Sequence, residues 1–427
     1  MKFVPRLSSL LACALLLGIA TLGVAQNTSA DDFNAATLAV SGAQPQYDRL
    51  QPVDRTGDAS AMQSANSNPG NSQSLNHNNE SLSGVVSVPN FPGSFVTNGT
   101  TYNYVMMGND PTIGHTTNVP TKIVAINLSL QNADLVTFTN VPIGSFEQPT
   151  LNSPNFEETS YSSGETLQFA DAVQRAEFFN GMKQNWHTNL SPAIVDRITI
   201  QIPRLINVRI NGQVVQRRAY FFGHAPDGSI FVELLSAYFN NVVFNLVNNE
   251  INAGNYTTDA VNLALFPNLY LFTRYTATGG PSGCCILGFH TYFVDPSATP
   301  QPRWIFDYAS WISPGLFGAG FEDVTAISHE ISETFNDPFV NNIVPRWQFP
   351  GETACQGNLE TGDPVEVLAN ATFPVTLKSK RTSFTYHPQT EALLQWFEQG
   401  TTSDALLGAF SYPDVTALPH SATACGH

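Results

Sequence analysis

Positive charge is scarce in this chain. Lysine and arginine together number 18, against 34 aspartates and glutamates, for a net charge of −16 over 427 residues. That balance argues against a nucleic-acid partner, which needs a basic face, and against docking on an anionic membrane surface. Charged residues of either sign make up only 12% of the chain, a low share for a cytosolic protein. Cysteine is rare as well, with five in all. No pair of C-x-x-C elements occurs, which speaks against a thiolate zinc site. There is no G-x-S-x-G, so a nucleophile elbow has no support. Neither a P-loop nor a Rossmann glycine pattern is present.

Long apolar runs are also missing, with one exception at the N-terminus. Leu10 to Ala25 follows Lys2 and Arg6 and reads as a secretory signal peptide, residues 1–25, cleaved near Ala25. The run is short for a membrane anchor and no positive stop-transfer cluster follows it. Leu10-Leu11-Ala12-Cys13 weakly resembles a lipobox, but most of the apolar run lies after Cys13, which argues against lipidation. The expected location is therefore extracellular, without stable membrane insertion. There Cys284, Cys285, Cys355 and Cys425 should form disulfides. Four cysteines allow three connectivities. A bond between the adjacent Cys284 and Cys285 would be strained, so at least one of them is expected to join the C-terminal half.

What is present is abundant apolar and aromatic residue, 42% and 11% of the chain, enough for a substantial core. Residues 26–85 are rich in Asn, Ser and Gln and read as a disordered linker or a pro-segment. Residues 86–427 read as one folded domain. "TYNYVMMG", "TKIVAINLSL", "NLYLFTRY" and "GFHTYF" have the character of strands. Asn211-Gly212 between two alternating runs predicts a hairpin. Helical spacing predicts one helix within Gly164–His187, with Phe169, Val173, Ala176, Phe179 and Met182 on one face, and another over "AYFNNVVFNLVNNEI". A late helix or strand is expected at "TEALLQWF", within a loop-rich C-terminal part. The mixed order suggests α+β rather than regular βαβ winding.

The chemistry concentrates in "TAISHEISETFNDPF", Thr325 to Phe339. Glu322 and Asp323 are expected in the first turn of a helix and Asn336-Asp337-Pro338 at its stop. Val324, Ile327, Ile331 and Phe335 recur at helical spacing and predict a buried face. His329 and Glu333 are four apart and share a second face, one turn apart, so both side chains can reach one metal. Glu330 then stands next to a water on that metal as general base. This is the logic of H-E-x-x-H with a carboxylate in place of the second imidazole. Zinc accepts carboxylate oxygens at distances similar to imidazole nitrogen, although other divalent ions suit such a set as well. The third ligand is expected downstream in "CQGNLETGDPVEVL", from Asp363 or Glu360, with Glu366 a weaker option. His290 is the upstream imidazole candidate, as an alternative ligand or a support, and Asp337 is a further supporting candidate. His115, His187, His224, His387 and His420 read as structural or surface residues.

The segments "CCILGFHTYF", "VTAISHEISETFNDPFVN", "NLETGDPVEV" and "EALLQWF" occur in this order between Cys284 and Phe397. In order and spacing they resemble the EXORDIUM/phosphate-induced family of secreted proteins and related bacterial extracellular proteins. The resemblance covers about a quarter of the chain. It implies that His329, Glu330, Glu333 and the Glu360/Asp363 pair form one site, and it points to His290 and a neighbouring cysteine. The family's cysteine just after the acidic turn is missing, since Pro364 and Val365 follow Asp363. Cys355 is expected to take over its bonding role. Together these readings predict an α+β, zincin-like domain with a mixed sheet and an active-site helix, whose motif region is 284–397. The expected function is a secreted metal-dependent hydrolase, with Zn2+ as the cofactor and a protein or peptide as the substrate. The alternative is a non-catalytic secreted binding or signalling protein on a peptidase-like fold.

Overall fold

A mixed sheet runs through the centre of the molecule and carries the site on one face. The computed structural model describes residues 32–34, 46–49, 51–57, 84–210, 212–318, 320–378 and 383–425. The signal peptide expected over residues 1–25 lies outside the described residues. From edge to edge the main path runs Asp32–Asn34, Tyr220–His224, Ile230–Leu235, Leu269–Tyr275, Pro281–Val294, Gln301–Trp311, Val261–Pro267, Thr116–Gln131 and His187–Ile202. Val261–Pro267 pairs in parallel with both of its neighbours. Its run "VNLALFP" is buried throughout, as a central parallel strand requires. Pro281–Val294 pairs antiparallel with Leu269–Tyr275 on one side and with Gln301–Trp311 on the other.

Alternation along Gln301–Trp311 separates two cores. Phe306 and Tyr308 pack with Phe239, Val243 and Val247 of the helix Ser236–Ala253. That helix ends at Gly254, whose φ of 78° is the left-handed conformation a glycine cap adopts without strain. Ile305, Ala309 and Trp311 face the other way, toward Ile327, Ile331 and Phe335 of the motif helix, Thr325–Asn336.

The motif helix differs from an amphipathic surface helix, because every one of its residues is buried. Val324, Ile327, Ile331 and Phe335 face the core as expected. The polar face is enclosed too. The sheet lies under the helix, Phe169–Glu177 lies beside it, and loops from the C-terminal part lie over it. Glu322 and Asp323 fall before the helix rather than in its first turn, since it starts at Thr325. Asp323 takes φ 48° and spends its carboxylate on Val324 N–H, His387 N–H and the His387 ring.

Other expectations hold in part. Leu205–Ile210 and Gln213–Arg218 form the hairpin around Asn211-Gly212. The helix expected within 164–187 is shorter, Phe169–Glu177, and Phe179 beyond it is exposed. The Asn/Ser-rich segment is not without structure where it is described. Gln46–Arg49 and Val53–Asp54 pair in parallel with Pro281–Val294, and Asp32–Asn34 pairs with Tyr220–His224. A free strand edge on the sheet supplies the backbone partners that the sparse apolar pattern does not announce.

The cysteines pair as Cys284–Cys285 and Cys355–Cys425, so neither adjacent cysteine joins the C-terminal half. Topology explains this. Cys284 and Cys285 lie on the strand Pro281–Val294, against Leu269–Tyr275. Cys425 N–H bonds to Arg346 O on the strand beside Cys355, which leaves the two distal cysteines for each other. Among the described residues no helix is long and apolar enough to cross a membrane.

Candidate metal centre

The helical period places His329 and Glu333 one turn apart, and their side chains meet at 3.2 Å, Nε2 to Oε2. Asp363 starts the short turn Asp363–Glu366 and brings Oδ1 to 3.9 Å from the same His329 nitrogen. One ligand atom from each of His329, Glu333 and Asp363 lies within 4.8 Å of the other two. Bonds of about 2.0–2.2 Å in a tetrahedral zinc site put ligand atoms roughly 3.4 Å apart, so this spacing fits one small ion.

The loop that delivers Asp363 is tied down from three sides. Gly362 N–H donates to Glu333 Oε1 over 3.1 Å. Gln389 donates from Nε2 to Gly362 O at 2.7 Å, while its own N–H donates to Ser328 Oγ on the motif helix. Gln356 Nε2 donates to Asp363 Oδ2. Gly362 is required by the close approach, since a Cβ there would overlap the ring of His329.

His290 arrives from the sheet. A register shift between Ile286 and Gly288 sets the later residues of that strand so that Gly288, His290 and Tyr292 share the face under the motif helix. His290 Nδ1 lies 3.3 Å from Glu333 Oε2 and 3.5 Å from Glu330 Oε2. Gly288 lies directly against the Glu330 carboxylate, and a Cβ there would overlap it. In the ladder His290 pairs with Asp307. Asp307 accepts a hydrogen bond from Thr334 Oγ1 of the motif helix at 2.7 Å. Glu360 groups with His290 and Glu333, again within 4.8 Å.

These groups sit in a buried and strongly acidic place. His329 and Glu330 are 0% exposed, and Asp363, at 12% of its side chain, is the most open of the ligand candidates. Burial drives the Glu330 carboxyl well above its ordinary pKa, and the Glu333 charge adds to this against the pull of His290. Burial opposes ionisation of Glu333 too, but attraction to the His329 and His290 rings beside it outweighs this and holds the carboxyl below the usual range. Burial alone would depress the His290 ring, yet its contacts with Glu330 and Glu333 raise it well above its ordinary value. Asp307 is pushed up to about 7, chiefly by burial. Glu391 and Glu366 are raised by burial and by neighbouring carboxylates, including Glu333 and Glu330.

Of the residues singled out in the sequence, His329, Glu330, Glu333, Glu360, Asp363 and His290 come together. Asp337 belongs to neither ligand group. Its Oδ1 accepts the N–H groups of Asn341 and Asn342 and shapes the turn after the helix. Sequence reasoning missed Asp307, Glu391, Gly288 and Gly362. A lone acid inside the apolar strand run "RWIFDYASW" was the available signal for Asp307. His387, read as a structural or surface residue, forms a separate, largely buried cluster with Glu322 and Asp323.

The donor set suits a divalent cation. Imidazoles and carboxylates converge, both ring nitrogens of His290 and both oxygens of Glu330 are buried without a hydrogen bond among the described residues, and two glycines leave room. Comparison with protein families, with curated proteins and with solved structures finds no match.

Proposed function

We propose that this protein is an exported metal-dependent hydrolase, in the first instance a zinc endopeptidase of the zincin-like kind. The observation that supports the reading is the convergence of His329, Glu333 and Asp363, with Glu330 next to His329 on the same helix. A divalent ion held by these three residues would acidify a water and polarise a carbonyl. The chain's own residues do the rest. Glu330, next to His329 on the helix, would take the proton from the attacking water and pass it to the leaving amine. His290, 3.5 Å from Glu330, orients that carboxylate. Gly288 keeps the space beside it clear.

An extended peptide suits the surroundings. The strand edge from Ile286 to His290 is covered by Gln46–Arg49, paired in parallel, as an added peptide strand would be. The N-terminal segment on this reading is a pro-segment that covers the site until it is displaced. Complete burial of Glu330 favours a second reading, in which the metal is structural and the protein is a binding or signalling module.

The deciding experiment pairs metal analysis of the purified protein with peptide cleavage by wild type and Glu330→Gln. Bound zinc, together with a loss of cleavage of about 10²-fold or more in a variant that keeps its fold and metal, supports the hydrolase. A metal-free wild type overturns it. Zinc without any effect of Glu330→Gln favours the structural reading.

A further inference from the structure

The acidic centre holds more ligands than one ion uses. His329 with Asp363, and His290 with Glu360, form two separate ligand groups, and the two imidazoles do not share one. Glu333 belongs to both groups. Its Oε2 lies 3.2 Å from His329 Nε2 and 3.3 Å from His290 Nδ1, so this single oxygen stands between the two histidines. The other oxygen is fixed by Gly362 N–H, which holds the carboxylate in that bridging attitude. Taking the existence of a metal site from the reading above, we propose that the centre is dinuclear. A second divalent cation is held by His290, Glu333 and Glu360, and Glu333 bridges it to the ion at His329 and Asp363.

Two further observations support this. His290 is 1% exposed, and both of its ring nitrogens, although close to carboxylates, lack a hydrogen bond among the described residues. A buried imidazole in that state calls for a ligand. The neighbouring carboxyls of Glu330, Glu360, Asp307 and Glu391 are buried as well. Two ions about 3.5–4 Å apart are the arrangement by which two-metal hydrolases stabilise both the attacking and the leaving oxygen.

Zinc stoichiometry of the full chain tests the proposal. The protein is stripped with a chelator, equilibrated with zinc alone and analysed for metal per chain. Wild type should hold two ions. His290→Ala and Glu360→Gln should each hold one, and Glu333→Gln, which alters the shared ligand, should weaken both positions. Replacing zinc by cobalt(II) in wild type gives a readout that needs no variant, because two ions sharing Glu333 are magnetically coupled and one ion is not. A wild type that holds one ion, with uncoupled cobalt and an unchanged count in His290→Ala, overturns the second position and leaves the hydrolase reading standing. A wild type that holds none overturns both.

Discussion

Glu333 and Gly362 are joined by a 3.1 Å hydrogen bond from the glycine N–H to the carboxylate, across 29 residues of sequence. That bond fixes the acidic loop to the motif helix, and the same glycine lies flat against the ring of His329.

Adding one methyl at that point should disturb the centre without disturbing the fold. Gly362 has an ordinary φ of −81°, so alanine meets no backbone strain, only the His329 ring. Gly362→Ala and Gly288→Ala are expected to weaken zinc binding about 10–100-fold, the cost usual for displacing a group that supports a ligand. Competition with a chromophoric chelator measures this. Gly144→Ala, where nothing lies within 4 Å of the new methyl, should leave binding unchanged.

The buried carboxyl of Glu233 predicts a pH dependence away from the centre. Burial raises its pKa from 4.5 to about 7. A raised carboxyl binds its proton more tightly in the folded state, so its contribution to stability is full below pH 4.5 and declines as pH rises toward 7. The span corresponds to about 3 kcal/mol. Glu233→Gln should therefore gain stability over wild type at pH 8 by up to about that amount and gain little near pH 4.5. Urea unfolding at the two pH values decides it, and equal midpoints at pH 8 would refute the assignment.

The Cys355–Cys425 bond closes 70 residues that include Glu360, Asp363 and Glu391. Chain entropy for a loop of that length gives about 4 kcal/mol. Cys355→Ser should lower the unfolding midpoint accordingly. Because the loop carries two ligand candidates, it should weaken zinc binding as well. A variant as stable as wild type in non-reducing urea titrations would sink this.

Removing residues 26–57 should bare the strand edge beside His290. Amide exchange at Ile286 to Phe289 is expected to quicken, and peptide cleavage by the shortened chain should exceed that of the full chain. Unchanged exchange would mean that Gln46–Arg49 does not shield this edge in solution.

The motif helix was legible because its signal is local. Spacing of three and four residues fixes where Val324, Ile327, Ile331 and Phe335 point, and the same spacing stacks His329 over Glu333. The turn "ETGD" was legible as a place that presents carboxylates, but which acid joins which histidine was not. Asp363 and Glu360 are separated by one turn of chain and end in different ligand groups. Asp307 was invisible because its role comes from sheet register, opposite His290, and register is set by pairing between distant segments. The full burial of the motif helix was equally out of reach, since its outer cover comes from Gln389 and the segments beyond it. Cysteine pairing depended on the same long-range geometry.

The proposed ligands are mounted on parts of unequal rigidity, and this has a kinetic consequence. His290 belongs to a central strand, and His329 and Glu333 belong to a helix buried on all sides. Glu360 and Asp363 ride on a loop held by hydrogen bonds from the Gln356 and Gln389 side chains and from Gly362 N–H to Glu333. On the proposed reading, a bound ion would leave when that loop lifts. Its residence time is therefore expected to follow the opening rate of the loop rather than the strength of any single coordinate bond, so that breaking the Gln389 tether would speed exchange while leaving the ligand set intact.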